Sequence, residues 1–187
     1  MKIIKEETLR TEAVIEAAKR MMTAARTAPK GKGKDNLAIA LLDKDEIKAV
    51  SDKLKEMHSE MNLADFFLRD AVNILSADAM IIIGTKIQSM GLTPCGMCGF
   101  SGCEEKNRHP HHPCVFNTGD LGIAIGSAVS AAMNSRIDNR VLYTAGQAIL
   151  RMGILEDDVK IVYAIPLSVS GKNPFFDRKQ EELIKKA

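Results

Sequence analysis

The sequence predicts a three-layer α/β or α+β domain, on three observations. Apolar residues recur at helical spacing in several segments, short apolar runs of strand length alternate with them, and 45% apolar with 27% charged residues is the balance of a globular protein with a sizeable core. The 187 residues support one domain spanning 1–187, at roughly 150 residues per domain. No repeat, low-complexity tract or long linker divides them.

The first helix is expected from Thr8 to Ala28, where Val14, Ala18, Met21 and Ala25 share one face, and Pro29 ends it. Lys30 to Asp35 is a flexible basic loop, and Leu37 to Leu42 has the length of a buried strand. Ile47, Val50, Leu54, Met57 and Met61 mark a second amphipathic helix. Asn62 is expected to cap a third, running through Phe67, Ala71 and Leu75, before a buried strand at Met80 to Gly84. Further on, Thr118 or Asp120 is expected to cap a central helix through Met133, apolar nearly all round and therefore covered on most sides. On it Gly122, Gly126 and Ser130 lie four apart, where small residues admit a second backbone, within the chain or across a dimer axis. Arg140 to Thr144 reads as a short strand, Ala145 to Met152 as a helix, and Val159 to Leu167 as a β-branched strand before turn residues at Ser168 to Asn173.

Between the second strand and the central helix lies a cysteine-rich segment, 93–116, read as a metal-binding insertion in the domain. Cys95, Cys98, Cys103 and Cys114 follow the spacing C-x2-C-x4-C-x10-C. A metal or cluster needs four thiolates at one point, and short spacings let one loop deliver three of them. Gly96, Gly99 and Gly102 permit positive φ and leave room for backbone N–H groups to face sulfur, easing its accumulated negative charge. This favours an iron–sulfur centre. Zinc is the competitor, because C-x2-C-G also opens zinc knuckles, although most zinc ribbons present two short C-x2-C pairs. His109, His111 and His112 precede Cys114 between prolines and read mainly as solvated residues of a rigid loop; His58 sits on the second amphipathic helix.

The run Cys95-Gly96-x-Cys98-Gly99-x-x-Gly102-Cys103 resembles the 4Fe-4S module of corrinoid iron-sulfur proteins and of the Rnf-complex B subunit. That resemblance implies three ligands from the loop and a fourth from a later cysteine, here Cys114. A longer resemblance, carried by Ala24 to Pro29 with Asp35-Asn36, by Asp120 to Met133 and by Ile161 to Pro174 with Arg178, is to the nitroreductase fold. It implies a homodimer with FMN at its interface. The chain departs from that family in lacking its R-R-S-x-R phosphate clamp, near whose place only Arg10 stands, and its loop tryptophan, where Leu37 falls. Arg10, Lys32, Lys34, Asn36 and Arg178 are then the candidates for the FMN phosphate and ribityl chain. As a whole the chain resembles a group of small prokaryotic proteins described as containing a ferredoxin domain.

The function expected is an iron–sulfur redox protein holding a 4Fe-4S cluster: an electron carrier that meets a redox partner protein, or a small flavin-linked oxidoreductase. The alternative is a zinc knuckle for protein contact without catalysis. Lys plus Arg is 26 against 24 Asp plus Glu, and there is no Trp, so neither charge nor aromatic stacking argues for nucleic acid. Leu121 to Met133 falls short of the roughly 20 apolar residues a membrane span needs, and Met1 to Glu7 lacks signal-peptide character, so a cytoplasmic protein is expected. There is no phosphate-binding glycine loop, H-E-x-x-H or G-x-S-x-G.

Overall fold

The central strand explains the layering. In the computed structural model, which describes residues 3–177 with 179, 182, 184 and 185, Met80, Ile81, Ile82 and Ile83 are all fully buried. Side chains alternate across a strand, so Met80 and Ile82 enter one core while Ile81 and Ile83 enter another on the opposite face. A continuous apolar run is what a strand covered on both sides requires.

The first helix, α1 (Arg10–Thr27), buries Val14, Ala17, Ala18, Met21 and Ala25 and stops at Ala28, before Pro29. After a turn at 31–33 comes β1 (Leu37–Leu42). Asp43 then caps α2 (Lys44–Met61) in a reciprocal box: its carboxylate accepts from the N–H groups of Asp45 and Glu46, and Glu46 accepts from that of Asp43. Asn62 does not open the third helix. It closes α2 in the left-handed region at φ 50°, which asparagine tolerates, and α3 (Phe66–Ile74) begins after Asp65, leaving Leu75 exposed.

The central strand is β2 (Ala79–Lys86). A long irregular stretch containing α4 (Cys103–Asn107) leads to α5 (Val115–Asn134), which starts directly after Cys114, earlier than Thr118 or Asp120. The expected strand over Arg140 to Thr144 reduces to β3 (Asp138–Asn139) plus a bridge from Leu142 to Ala164, because α6 (Tyr143–Met152) has already begun. The last strand is β4 (Val159–Ser168).

The sheet order is β1-β2-β4-β3 and every pairing is antiparallel. Helices α1 and α5 cover one face, and α2, α3 and α6 the other. On the latter face α6 lies directly on β4: a Cβ added to Gly146 would stand 2.0 Å from the Val162 carbonyl oxygen. Asp70, buried on α3, accepts from Arg69 at 2.8 Å and from the Thr144 hydroxyl at 2.8 Å, tying α3 to α6. Phe175 is fully buried in the same layer, with its carbonyl held by Arg140. Arg178 lies outside the described residues.

Among the described residues, helix α5 is covered on one side. Leu121, Ala124, Ala128 and Ala132 are buried against α1, whereas Gly122, Ile123, Gly126, Ser130 and Met133 are exposed, with Ile123 at 47%.

Candidate metal centre

All four cysteines are free thiols. Cys95 and Cys98 lie on the irregular stretch, Cys103 is the first residue of α4, and Cys114 is the residue from which α5 starts. The first three are half-buried, while Cys114 is 5% exposed. Cys95 and Cys103 line one cavity of about 520 Å3, walled by Gly91 to Cys95 on one side and Ser101 to Glu105 on the other.

Glycine does here what the sequence leads one to expect. Gly96 and Gly99 take φ of 142° and 89°, and the Gly99 N–H closes a turn on the Gly96 carbonyl at 2.9 Å. The backbone N–H groups of Met97 and Gly96 hold the Cys95 thiol below the usual cysteine range, against a small opposing effect of burial. Gly102, in contrast, is extended at φ 176°. At the far end of the turn the Ser101 N–H donates to the Glu105 carboxylate at 2.7 Å, and Ser101 with nearby His109 keeps Glu105 below the ordinary carboxylate range.

His109, His111 and His112 are all exposed, as expected of a solvated loop. His109 stacks on Phe100 with ring centres 5.0 Å apart, and His112 meets both rings edge-on. His58 faces Asp65 at 3.4 Å at the end of α2. Among the described residues no group of three or more His, Cys, Asp or Glu side chains is close enough to hold a metal ion. The donor set nevertheless suits a thiolate-bound centre: four unpaired thiols within 95–114, one of them held below the usual cysteine range by backbone N–H groups, and a buried orphan donor three residues after Cys114.

That donor is Asn117, which together with Asp120 the sequence reading missed as part of the site. The Asn117 side-chain oxygen accepts from the Gln88 N–H at 2.9 Å, while its Nδ2 is buried without a partner. Asp120 accepts the Gly31 N–H on both oxygens at 3.1 Å, fastening the basic loop to α5. A signal existed, because Cys114, Asn117 and Asp120 form a polar stripe at a spacing of three at the head of an otherwise apolar helix.

The expected FMN contacts are dispersed. Arg10 pairs with Glu6 at the start of α1, roughly 27 Å of helix from the loop holding Lys32, Lys34 and Asn36. Lys32 reaches the Met90 carbonyl at 3.4 Å, Lys34 is exposed, and the Asn36 carbonyl accepts from Lys86 at the sheet edge. Beside that loop an apolar pocket of about 370 Å3 opens between Gly31, Met97, Phe116 and Ile123, joining the cysteine turn to the exposed face of α5.

Residues 111–178 match the family model described as "Uncharacterized protein containing a ferredoxin domain (DUF2148)", a stretch that includes Cys114 but not the other three cysteines. An uncharacterized protein of Archaeoglobus fulgidus is 38% identical over 183 residues, covering 94% of this chain and 97% of its own. Among solved structures, a nitroreductase with bound FMN from Bacteroides fragilis superposes with a TM-score of 0.59 at 11% identity, over 95% of this chain and 84% of that one. A nitroreductase with bound FMN from Desulfitobacterium hafniense gives 0.57 at 14% identity, over 91% and 81%. A BluB-like flavoprotein from Clostridium difficile gives 0.53 at 18% identity, over 97% and 89%. The fold is nitroreductase-like.

Proposed function

The chain belongs to the family of uncharacterized proteins containing a ferredoxin domain, and from that premise we propose that it is a redox protein binding a 4Fe-4S cluster through Cys95, Cys98, Cys103 and Cys114. The observation that carries the reading is the state of the cysteine segment: four free thiols within 95–114, Cys95 and Cys103 lining one cavity, and positive φ at Gly96 and Gly99 between the first three. The bound cluster supplies one-electron transfer. The chain's own part is to bring three thiolates from a glycine-hinged loop onto Cys114, which is fixed at the head of α5, and to present N–H donors to sulfur. Zinc on the same thiolates is the alternative, giving a colourless protein without electron transfer.

A flavin-linked oxidoreductase is the second reading. It draws on the apolar pocket beside the basic loop and on the exposed face of α5, which suits a second copy of the chain better than water. The separation of Arg10 from Lys32, Lys34 and Asn36 weighs against one phosphate site built from all of them.

Anaerobic purification with iron, sulfide and zinc assays, and a visible spectrum before and after dithionite, tests the cluster. The expected result is a brown protein bleached by reduction, its colour abolished by Cys98→Ser; a colourless protein with about one zinc per chain refutes it. Flavin fluorescence in the denatured supernatant separates the two redox versions, since cluster without flavin leaves an electron carrier.

A further inference from the structure

Two side chains at or beside the cysteine segment carry donor groups that the fold does not pair. Lys106 is 3% exposed as a residue, and among the described residues no carboxylate lies within ion-pair distance of its ammonium group, which is not itself a fully buried, unpartnered atom as Asn117 Nδ2 is. Asn117 is 1% exposed and its Nδ2 has no acceptor. Burying a lysine without an anion, or an amide donor without an acceptor, costs stability that other contacts must offset.

Their positions share a pattern. Cys103 is the first residue of α4 and Lys106 lies three residues on; Cys114 immediately precedes α5 and Asn117 lies three residues on. Residues three apart on a helix share a face, so each orphan donor stands over the turn that begins at a thiol. The two helices are also joined near these points. Gln88 donates to Asn117, and the next residue, Ser89, donates to Asn107 at the end of α4 at 2.6 Å. A set of thiolates gathered around a metal is anionic, and its sulfurs accept hydrogen bonds.

Resting on the metal-thiolate reading above, we propose that Lys106 and Asn117 are positioning residues of the loaded centre: their N–H groups donate to its sulfurs and offset its negative charge. A donor at sulfur favours the more negative, reduced state, so the pair raises the reduction potential of the centre.

The test uses the full chain, purified without oxygen, as wild type, Lys106→Met, Lys106→Arg, Asn117→Asp and Asn117→Leu. Methionine keeps the apolar stem of Lys106 and removes its donor. Aspartate keeps an oxygen for the Gln88 N–H and removes Nδ2, while leucine adds no charge. Iron and sulfide are quantified, and midpoint potentials are read by dye-mediated titration in the visible spectrum. The expected result is a more negative potential in Lys106→Met and in both Asn117 variants at wild-type iron and sulfide content, with recovery in Lys106→Arg. Potentials equal to wild type in all three overturn the proposal. Where a variant holds too little cluster to titrate, the rate at which a chelator strips its iron is the measure: faster loss supports the pair, and an unchanged rate overturns it. A wild-type protein holding zinc in place of iron and sulfide refutes the cluster reading alone. Zinc competition then decides on the pair, with affinity weakened roughly 10-fold or more in its favour and unchanged affinity against it.

Discussion

Replacing Gly146 by alanine perturbs the close approach of α6 to β4. The new Cβ would lie 2.0 Å from the Val162 carbonyl oxygen and 2.7 Å from its carbon, both backbone atoms of a strand paired along its length with β2. The strand cannot yield, so α6 must retreat until the contact reaches the ordinary range above 3.4 Å. A movement of that size takes the Thr144 hydroxyl, now 2.8 Å from Asp70, beyond hydrogen-bonding reach. Losing a hydrogen bond to a buried carboxylate costs about 1.5–3 kcal/mol. Loosened packing around Ala145, Ala148 and Ile149 adds about 1–2 kcal/mol. The expected loss is about 2.5–5 kcal/mol, a large fraction of the roughly 5–15 kcal/mol that holds a domain together. Urea unfolding followed by circular dichroism measures it, as a lower midpoint at unchanged slope. A variant within about 0.5 kcal/mol of wild type would refute the close approach of α6 to β4.

Asp70→Ala should be similarly severe, at about 3–5 kcal/mol, because it leaves Arg69 and Thr144 without their buried acceptor; the same urea titration measures it. Burial pushes the Asp35 carboxyl up, but hydrogen bonds from Arg26 and from the Leu37 N–H outweigh it and set the group below the usual carboxylate range. A depressed folded pKa contributes stability above the unfolded value of roughly 3.9, lost as pH falls through the folded value. The advantage of wild type over Asp35→Asn should therefore be present at pH 6 and shrink toward pH 2, and a constant difference would contradict the pairing. Ile123→Glu, on the exposed face of α5, should convert the proposed dimer into a monomer by light scattering with little effect on monomer stability.

The parts of the fold legible in the sequence are those where one physical signal acts alone. Apolar spacing located α1, α2, β1, β2 and β4, and the uninterrupted run at Met80 to Ile83 correctly indicated cover on both faces. Reading failed where one residue serves two ends. Asn62 is a good residue both to start a helix and to finish one in the left-handed region, and the chain uses the second, with its N–H on the His58 carbonyl. The start of α5 was hidden because Cys114 caps nothing with its side chain. Spacing singled out the four cysteines, and of these the structure places Cys95 and Cys103 on one cavity. The unpartnered state of Lys106 and Asn117 was not legible, because burial and missing partners are properties of the folded chain.

Neither packed core draws on residues 87–113. The stretch holding three of the four thiols lies outside both, unlike a zinc finger, whose shape collapses when the ion is stripped. Under the proposed function, a chain starved of iron is therefore expected to be an empty vessel rather than a degraded one, with both cores still packed.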